Sequence, residues 1–279
     1  MKGMQKGCTL VNDVAGGGSD LLAPSDREAV RRAAHFSRFA AASYGVVADH
    51  LRAVVAKEAD LPPADLLMNR ADLQKWFLAK RTGIDPGDIK EWAVADSVET
   101  RAYFVAVDHS TRSVVLSIRG TYSVSDTMVD LLCNPVDFAG GKAHQGISQS
   151  AVRVWAAVKD LTEGLLREHS DYQLVLTGHS LGAGTAILLK VLLEHDGSSF
   201  WDAVRGLRGK KGGAGGAGAG AGAGAAGVGS LDAGRPVRVK CFAFAPPPVF
   251  SGRGAASMAG VFSFVHGSDC VPMMSLGSL

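Results

Sequence analysis

Gln173-Leu174-Val175-Leu176-Thr177-Gly178-His179-Ser180-Leu181-Gly182-Ala183-Gly184-Thr185-Ala186 is the stretch on which the reading of this chain turns. Leu174 to Leu176 is a short apolar run that opens after polar Asp171-Tyr172-Gln173, the pattern of a buried strand. Ile187, Leu188, Leu189, Val191 and Leu192 carry the apolar character onward as a helix. Between the two lies Gly178-His179-Ser180-Leu181-Gly182, room for one sharp turn. Its two glycines remove the Cβ atoms that would collide there. The Ser180 hydroxyl is then expected to stand clear of the sheet at the N-terminus of the helix. An anion forming beside it would meet the positive end of the helix dipole and free backbone N–H groups.

A G-x-S-x-G turn between a strand and a helix is the nucleophile elbow of an α/β-hydrolase. With 35 glycines in the chain, the pentapeptide alone reads equally well as a glycine-rich turn before an ordinary helix. The strand before it and the small Ala183, Gly184 and Ala186 after it favour the elbow, because that helix must pack tightly on the sheet. The expected fold class is therefore α/β, with a mostly parallel central sheet flanked by helices.

The 279 residues suffice for one large domain, and 47% hydrophobic against 20% charged residues places the chain among globular proteins. A net charge of +2 argues against binding driven by nucleic-acid phosphates. Cys8, Cys133, Cys241 and Cys270 form no C-x-x-C pair, which suits neither a zinc site nor a disulfide scaffold. No metal and no cofactor are expected. No apolar core follows Met1 to Gly7, so no signal peptide is expected, and no apolar run is long enough to span a bilayer. The expected location is cytoplasmic or peripheral to a membrane.

Residues 1–24, with Gly16-Gly17-Gly18, read as a flexible tail, and 25–279 as one domain. Ser25-Asp26-Arg27-Glu28 forms a capping box for a helix from Asp26 to about Tyr44, ended by Gly45. A second helix is expected over Ala71 to Arg81. Ala102 to Val107 and Ser113 to Ile118 read as strands joined by a polar turn, and His144-Gln145-Gly146 opens a helix to about Glu168. The segment from about 208 to 235 is nearly pure glycine and alanine and reads as a mobile insert. Val237 to Ala245 and Val261 to Val265 complete the strands.

An oxyanion hole needs two N–H donors, one from the residue after the nucleophile and one from a loop after an earlier strand. Leu181 and Thr121, in Arg119-Gly120-Thr121, occupy those places. Asp269, in a loop after a strand and about 90 residues past Ser180, stands where the triad carboxylate belongs. It would orient a histidine and stabilise the imidazolium, although a surface-turn aspartate reads the same way. His35, His109 and His144 read as structural, and His179 as too constrained by the elbow to act as base for its own neighbour.

The assembled pieces resemble the class 3 lipase family, and within it the sn-1-specific diacylglycerol lipases. The resemblance is carried by Phe104 to His109, Ser113 to Thr121, His144 to Ser148, Gln173 to Gly184, Cys241 to Pro247 and Asp269 to Pro272. It implies a serine lipase that hydrolyses fatty-acyl esters of glycerolipids, diacylglycerol- or triacylglycerol-type, at a membrane or droplet surface. Ser180 would be the nucleophile, Asp269 the triad acid, Thr121 and Leu181 the oxyanion donors, and Gly178, His179 and Gly182 the elbow. It places a regulatory insert where the Gly/Ala segment lies. The family's catalytic histidine lies after the aspartate, and no histidine follows Asp269 here. The chain is accordingly expected to be C-terminally incomplete, or else to be an inactive, truncated hydrolase-fold protein that binds lipid or a partner.

Overall fold

The computed structural model describes residues 9–12, 24–45, 70–94, 101–121, 135–194, 238–252, 258–267 and 271. In chain order these form β1 (Thr9–Asn12), α1 (Pro24–Ala42), a 3₁₀ turn (Ser43–Gly45), α2 (Arg70–Thr82), a 3₁₀ turn (Pro86–Asp88), β2 (Ile89–Ala93), β3 (Tyr103–Asp108) and β4 (Ser113–Ile118). There follow β5 (Pro135–Phe138), β6 (Gly141–His144), α3 (Gln145–Glu168), β7 (Gln173–His179), α4 (Leu181–Glu194), β8 (Val239–Phe244), β9 (Phe250–Gly252) and β10 (Val261–Val265).

Seven of the described strands build one sheet in the order β1-β10-β8-β7-β4-β3-β2, and β5-β6-β9 build a small second one. From β1 to β4 neighbouring strands run parallel, and β3 and β2 continue antiparallel. The steps β4-α3-β7 and β7-α4-β8 advance in one direction across the sheet. Right-handed crossovers then put both helices on the same face. The core follows this arrangement. Val114, Leu116, Leu174, Leu176, Cys241 and Ala243 pack with Val154, Trp155 and Val158 of α3 and with Leu188 and Leu189 of α4. The alternate positions Phe104, Ala106, Val115, Val175 and Phe242 pack with Phe36 and Phe39 of α1 and with Phe77 and Leu78 of α2. Two buried faces explain why these strands are nearly continuous apolar runs.

Several elements differ from the sequence reading. Helix α1 begins at Pro24, so Ser25 lies inside its first turn, and Glu28 pairs forward with Arg32 at 2.8 Å. The helix ends at Ala42 and tightens into the 3₁₀ turn that holds Tyr44. Thr9–Asn12, within the stretch read as a tail, forms β1 and pairs in parallel with β10. Strands β2, β5, β6 and β9 have no clear apolar alternation and are not among those expected from the sequence, and β2 bulges between Ile89 and Glu91. The segment 208–235 lies outside the described residues. Among the described residues no helix is long and apolar enough to cross a membrane.

Candidate active site

Ser180 sits between the last residue of β7 and the first of α4. Its φ is 55°, a left-handed conformation that costs an L-residue about 1–2 kcal/mol. The backbone is held in it from both sides. The Ser180 N–H donates to the Phe244 carbonyl of β8 at 2.9 Å, and the Ser180 carbonyl accepts from the Gly184 N–H at 3.1 Å. Strain kept in place by the surrounding structure is characteristic of functional positions.

The elbow glycines serve close approach, since neither is left-handed. A Cβ on Gly182 would stand 2.2 Å from the Ile118 carbonyl oxygen and 2.7 Å from the Arg119 carbonyl carbon. One on Gly178 would stand 2.6 Å from the same Ile118 oxygen. Strands β4 and β7 are parallel neighbours in the register Ile118 to Gly178, so Arg119-Gly120-Thr121 leaves the sheet beside the elbow. A Cβ on Gly120 would lie 2.5 Å from the His179 carbonyl oxygen and 3.3 Å from Ser180 Cβ. The Arg119 N–H anchors the loop on the Ala102 carbonyl at 2.9 Å. Leu181, fully buried, opens α4, and the first N–H groups of a helix have no acceptor within it. The structure thus brings the elbow, Leu181 and the Thr121 loop together. Such an arrangement can present a serine hydroxyl to an acyl carbonyl with backbone N–H groups close by. Asp269 lies outside the described residues.

The histidines sort by place. His144 caps α3, its Nδ1 accepting from the Ile147 N–H at 3.3 Å. His35 Nε2 is 2.6 Å from Asp108 Oδ2, and Arg38 Nη2 is 2.7 Å from His35 Nδ1. Because the guanidinium can only donate, Nδ1 accepts and Nε2–H donates to the carboxylate. Burial opposes ionisation of Asp108, but hydrogen bonds from His35, Thr111 and Ser110 outweigh it and hold the carboxyl well below the usual range. His109 Nδ1 meets the Tyr172 hydroxyl at 2.6 Å. Asp108 pairs with Ser113, and Ser113 with Gln173, so this cluster lies at the start of β7, about 20 Å from the elbow at its end. His35 and His109 are therefore structural. His266, just beyond β10, is exposed. His179 has a partner that the sequence does not suggest: the Tyr44 hydroxyl, 2.8 Å from its Nδ1. These residues are 135 positions apart, and no local signal in the sequence links them.

Residues 115–205 match the family model Lipase (class 3). Over 127 residues the chain is 34% identical to diacylglycerol lipase-beta of Mus musculus, covering 42% of this chain and 19% of that protein. Over 124 residues it is 36% identical to diacylglycerol lipase-alpha of Homo sapiens, covering 38% and 12%. Over 108 residues it is 35% identical to secreted mono- and diacylglycerol lipase A of Penicillium cyclopium, covering 36% and 34%. The matches therefore span well under two thirds of the length of these relatives. Among solved structures, a fungal lipase superposes with a TM-score of 0.58 at 19% identity, covering 92% of this chain and 77% of that one. The native Rhizomucor miehei lipase propeptide complex gives 0.54 at 17% identity, covering 90% and 65%. Residues 115–205 are thus similar to the class 3 lipases, and the chain has the α/β-hydrolase fold.

Proposed function

We propose that this chain carries the acyl-transfer site of a serine lipase acting on fatty-acyl esters of glycerolipids. The observation that carries the reading is Ser180 at φ 55°, seated at the head of α4 against the Gly120 backbone. Ser180 Oγ attacks the ester carbonyl and gives its proton to a base. The charge that develops on the carbonyl oxygen is held by the N–H groups of Leu181 and Thr121. Collapse expels the glyceride alcohol, which takes the proton back, and leaves an acyl-enzyme. Water attacks that ester with the same base, and the fatty acid departs. Asp269 orients the base and stabilises its cation.

The names of the relatives support a diacylglycerol-type substrate; a triacylglycerol-type substrate, a membrane or droplet surface as the place of action, and a cytoplasmic or membrane-peripheral location are part of the same proposal. The test is covalent labelling with an alkyl fluorophosphonate, followed by product analysis on defined diacylglycerol, triacylglycerol and phospholipid. Labelling at Ser180, lost in Ser180→Ala, together with release of fatty acid from a neutral glyceride, is the expected result. A folded wild-type chain that takes no label would refute the serine-lipase reading and favour a hydrolase-fold module that binds lipid without turning it over.

A further inference from the structure

The residue that closes the crest of the elbow comes from the N-terminal helical layer. Tyr44 lies in the 3₁₀ turn after α1, and the last turns of that helix and the 3₁₀ turn are gripped from several directions. The Ser117 hydroxyl of β4 donates to the Phe39 carbonyl at 2.9 Å. Gln74 Nε2 of α2 donates to the Gly45 carbonyl at 3.2 Å. Gly45 itself lies so close under the Phe77 ring that a Cβ would fall 1.7 Å from it. A tyrosine on a turn held this firmly has a defined place. Its hydroxyl is 2.8 Å from His179 Nδ1, and the two rings meet edge to face at 5.8 Å. The same hydroxyl oxygen would lie 2.7 Å from a Cβ on Gly120, and the His179 carbonyl oxygen 2.5 Å from it. The Gly120 backbone is therefore flanked by the two members of the Tyr44–His179 pair, with Ser180 Cβ next to it.

We infer that Tyr44 is a positioning residue: through its hydrogen bond to His179 it latches the Arg119-Gly120-Thr121 loop against the elbow. This rests on the serine-lipase reading, because the latch matters for catalysis only if the Thr121 N–H must meet an oxyanion. The physical need is clear. An oxyanion donor works when it is already aimed before charge develops, and the Tyr44–His179 pair adds a restraint at Gly120 to the one the Arg119 N–H makes with the Ala102 carbonyl. Tyr44 touches neither substrate nor nucleophile in this scheme. It acts through His179 and Gly120.

The test compares wild type, Tyr44→Phe, His179→Ala and the double variant. Amide hydrogen exchange of peptides spanning 119–121 is measured, with thermal melting and the rate of Ser180 labelling by fluorophosphonate. The phenylalanine keeps the ring and removes only the hydroxyl. The expected result is exchange in 119–121 roughly tenfold faster in each single variant, about the ratio one lost hydrogen bond supports, and no faster in the double. Labelling slows in parallel while the melting temperature stays close to wild type. Unchanged exchange in Tyr44→Phe, or additive effects in the double variant, would overturn the latch. If Tyr44→Phe does not fold, His179→Ala against wild type carries the same comparison. Wild-type protein that exchanges as expected but takes no label refutes the lipase reading alone.

Discussion

Gly182→Ala puts a single methyl group where β4 and α4 come closest. The new Cβ would stand 2.2 Å from the Ile118 carbonyl oxygen, 2.7 Å from the Arg119 carbonyl carbon and 2.8 Å from the Gly120 nitrogen. All three are backbone atoms, so no side chain can rotate away. Restoring an ordinary carbon-to-oxygen contact requires the head of α4 and the end of β4 to part by about 1 Å. Forcing a methyl into a packed interior costs about 1–3 kcal/mol, and the rigid neighbours here put the cost at the upper end. For a domain of this size that lowers the melting temperature by roughly 4–10 °C. The same 1 Å moves the Thr121 loop away from Ser180, and a misplacement of that size costs about 100-fold in rate. Fluorophosphonate labelling of Gly182→Ala under conditions where it remains folded should therefore be about two orders of magnitude slower than wild type. Gly164→Ala is the control. Its Cβ meets nothing within 4 Å, about one turn before the end of α3, and the gain in helix propensity should stabilise by about 0.5–1 kcal/mol without changing the labelling rate. A Gly182→Ala protein that melts and labels like wild type would show that the elbow does not depend on this close approach.

Other outcomes follow from particular contacts. Ser180→Gly should be more stable to urea than Ser180→Ala by about 1 kcal/mol, because only glycine occupies a φ of 55° without strain; equal midpoints would mean that the turn relaxes when the serine is removed. The depressed pKa of Asp108 makes its carboxylate a source of stability that is fully present above the unfolded value of about 3.9 and is lost as pH falls through that value toward the folded one. Asp108→Asn should accordingly cost about 2 kcal/mol at neutral pH and flatten the acid limb of a stability-against-pH curve; a parallel acid limb in the variant would remove Asp108 as its cause.

Much of the framework was readable from local pattern. Leu174 to Leu176, Val114 to Ile118 and Val261 to Val265 are apolar because both faces of a parallel sheet are covered, and such runs stand out in a sequence. The G-x-S-x-G turn announced a strand, a sharp bend and a helix, since glycine at both flanks answers a steric demand set by the turn and its neighbours. His144 was legible as the opening of a helix and as a structural residue, without the bond it accepts from the Ile147 N–H.

What the tertiary structure decided is who stands beside whom. Gly120 touches the elbow because β4 and β7 are parallel neighbours in one particular register, and register depends on the whole sheet. Tyr44 reaches His179 because Phe77, Gln74 and Ser117, from α2 and β4, hold its turn in place. His35 meets Asp108 across 73 positions for the same kind of reason. Strands such as β2, at the edge of the sheet among the described residues and with partly exposed side chains, have little apolar signal to read. Periodicity in a sequence records which face of an element is buried; it holds no record of the partner that buries it, and the site is made by partners.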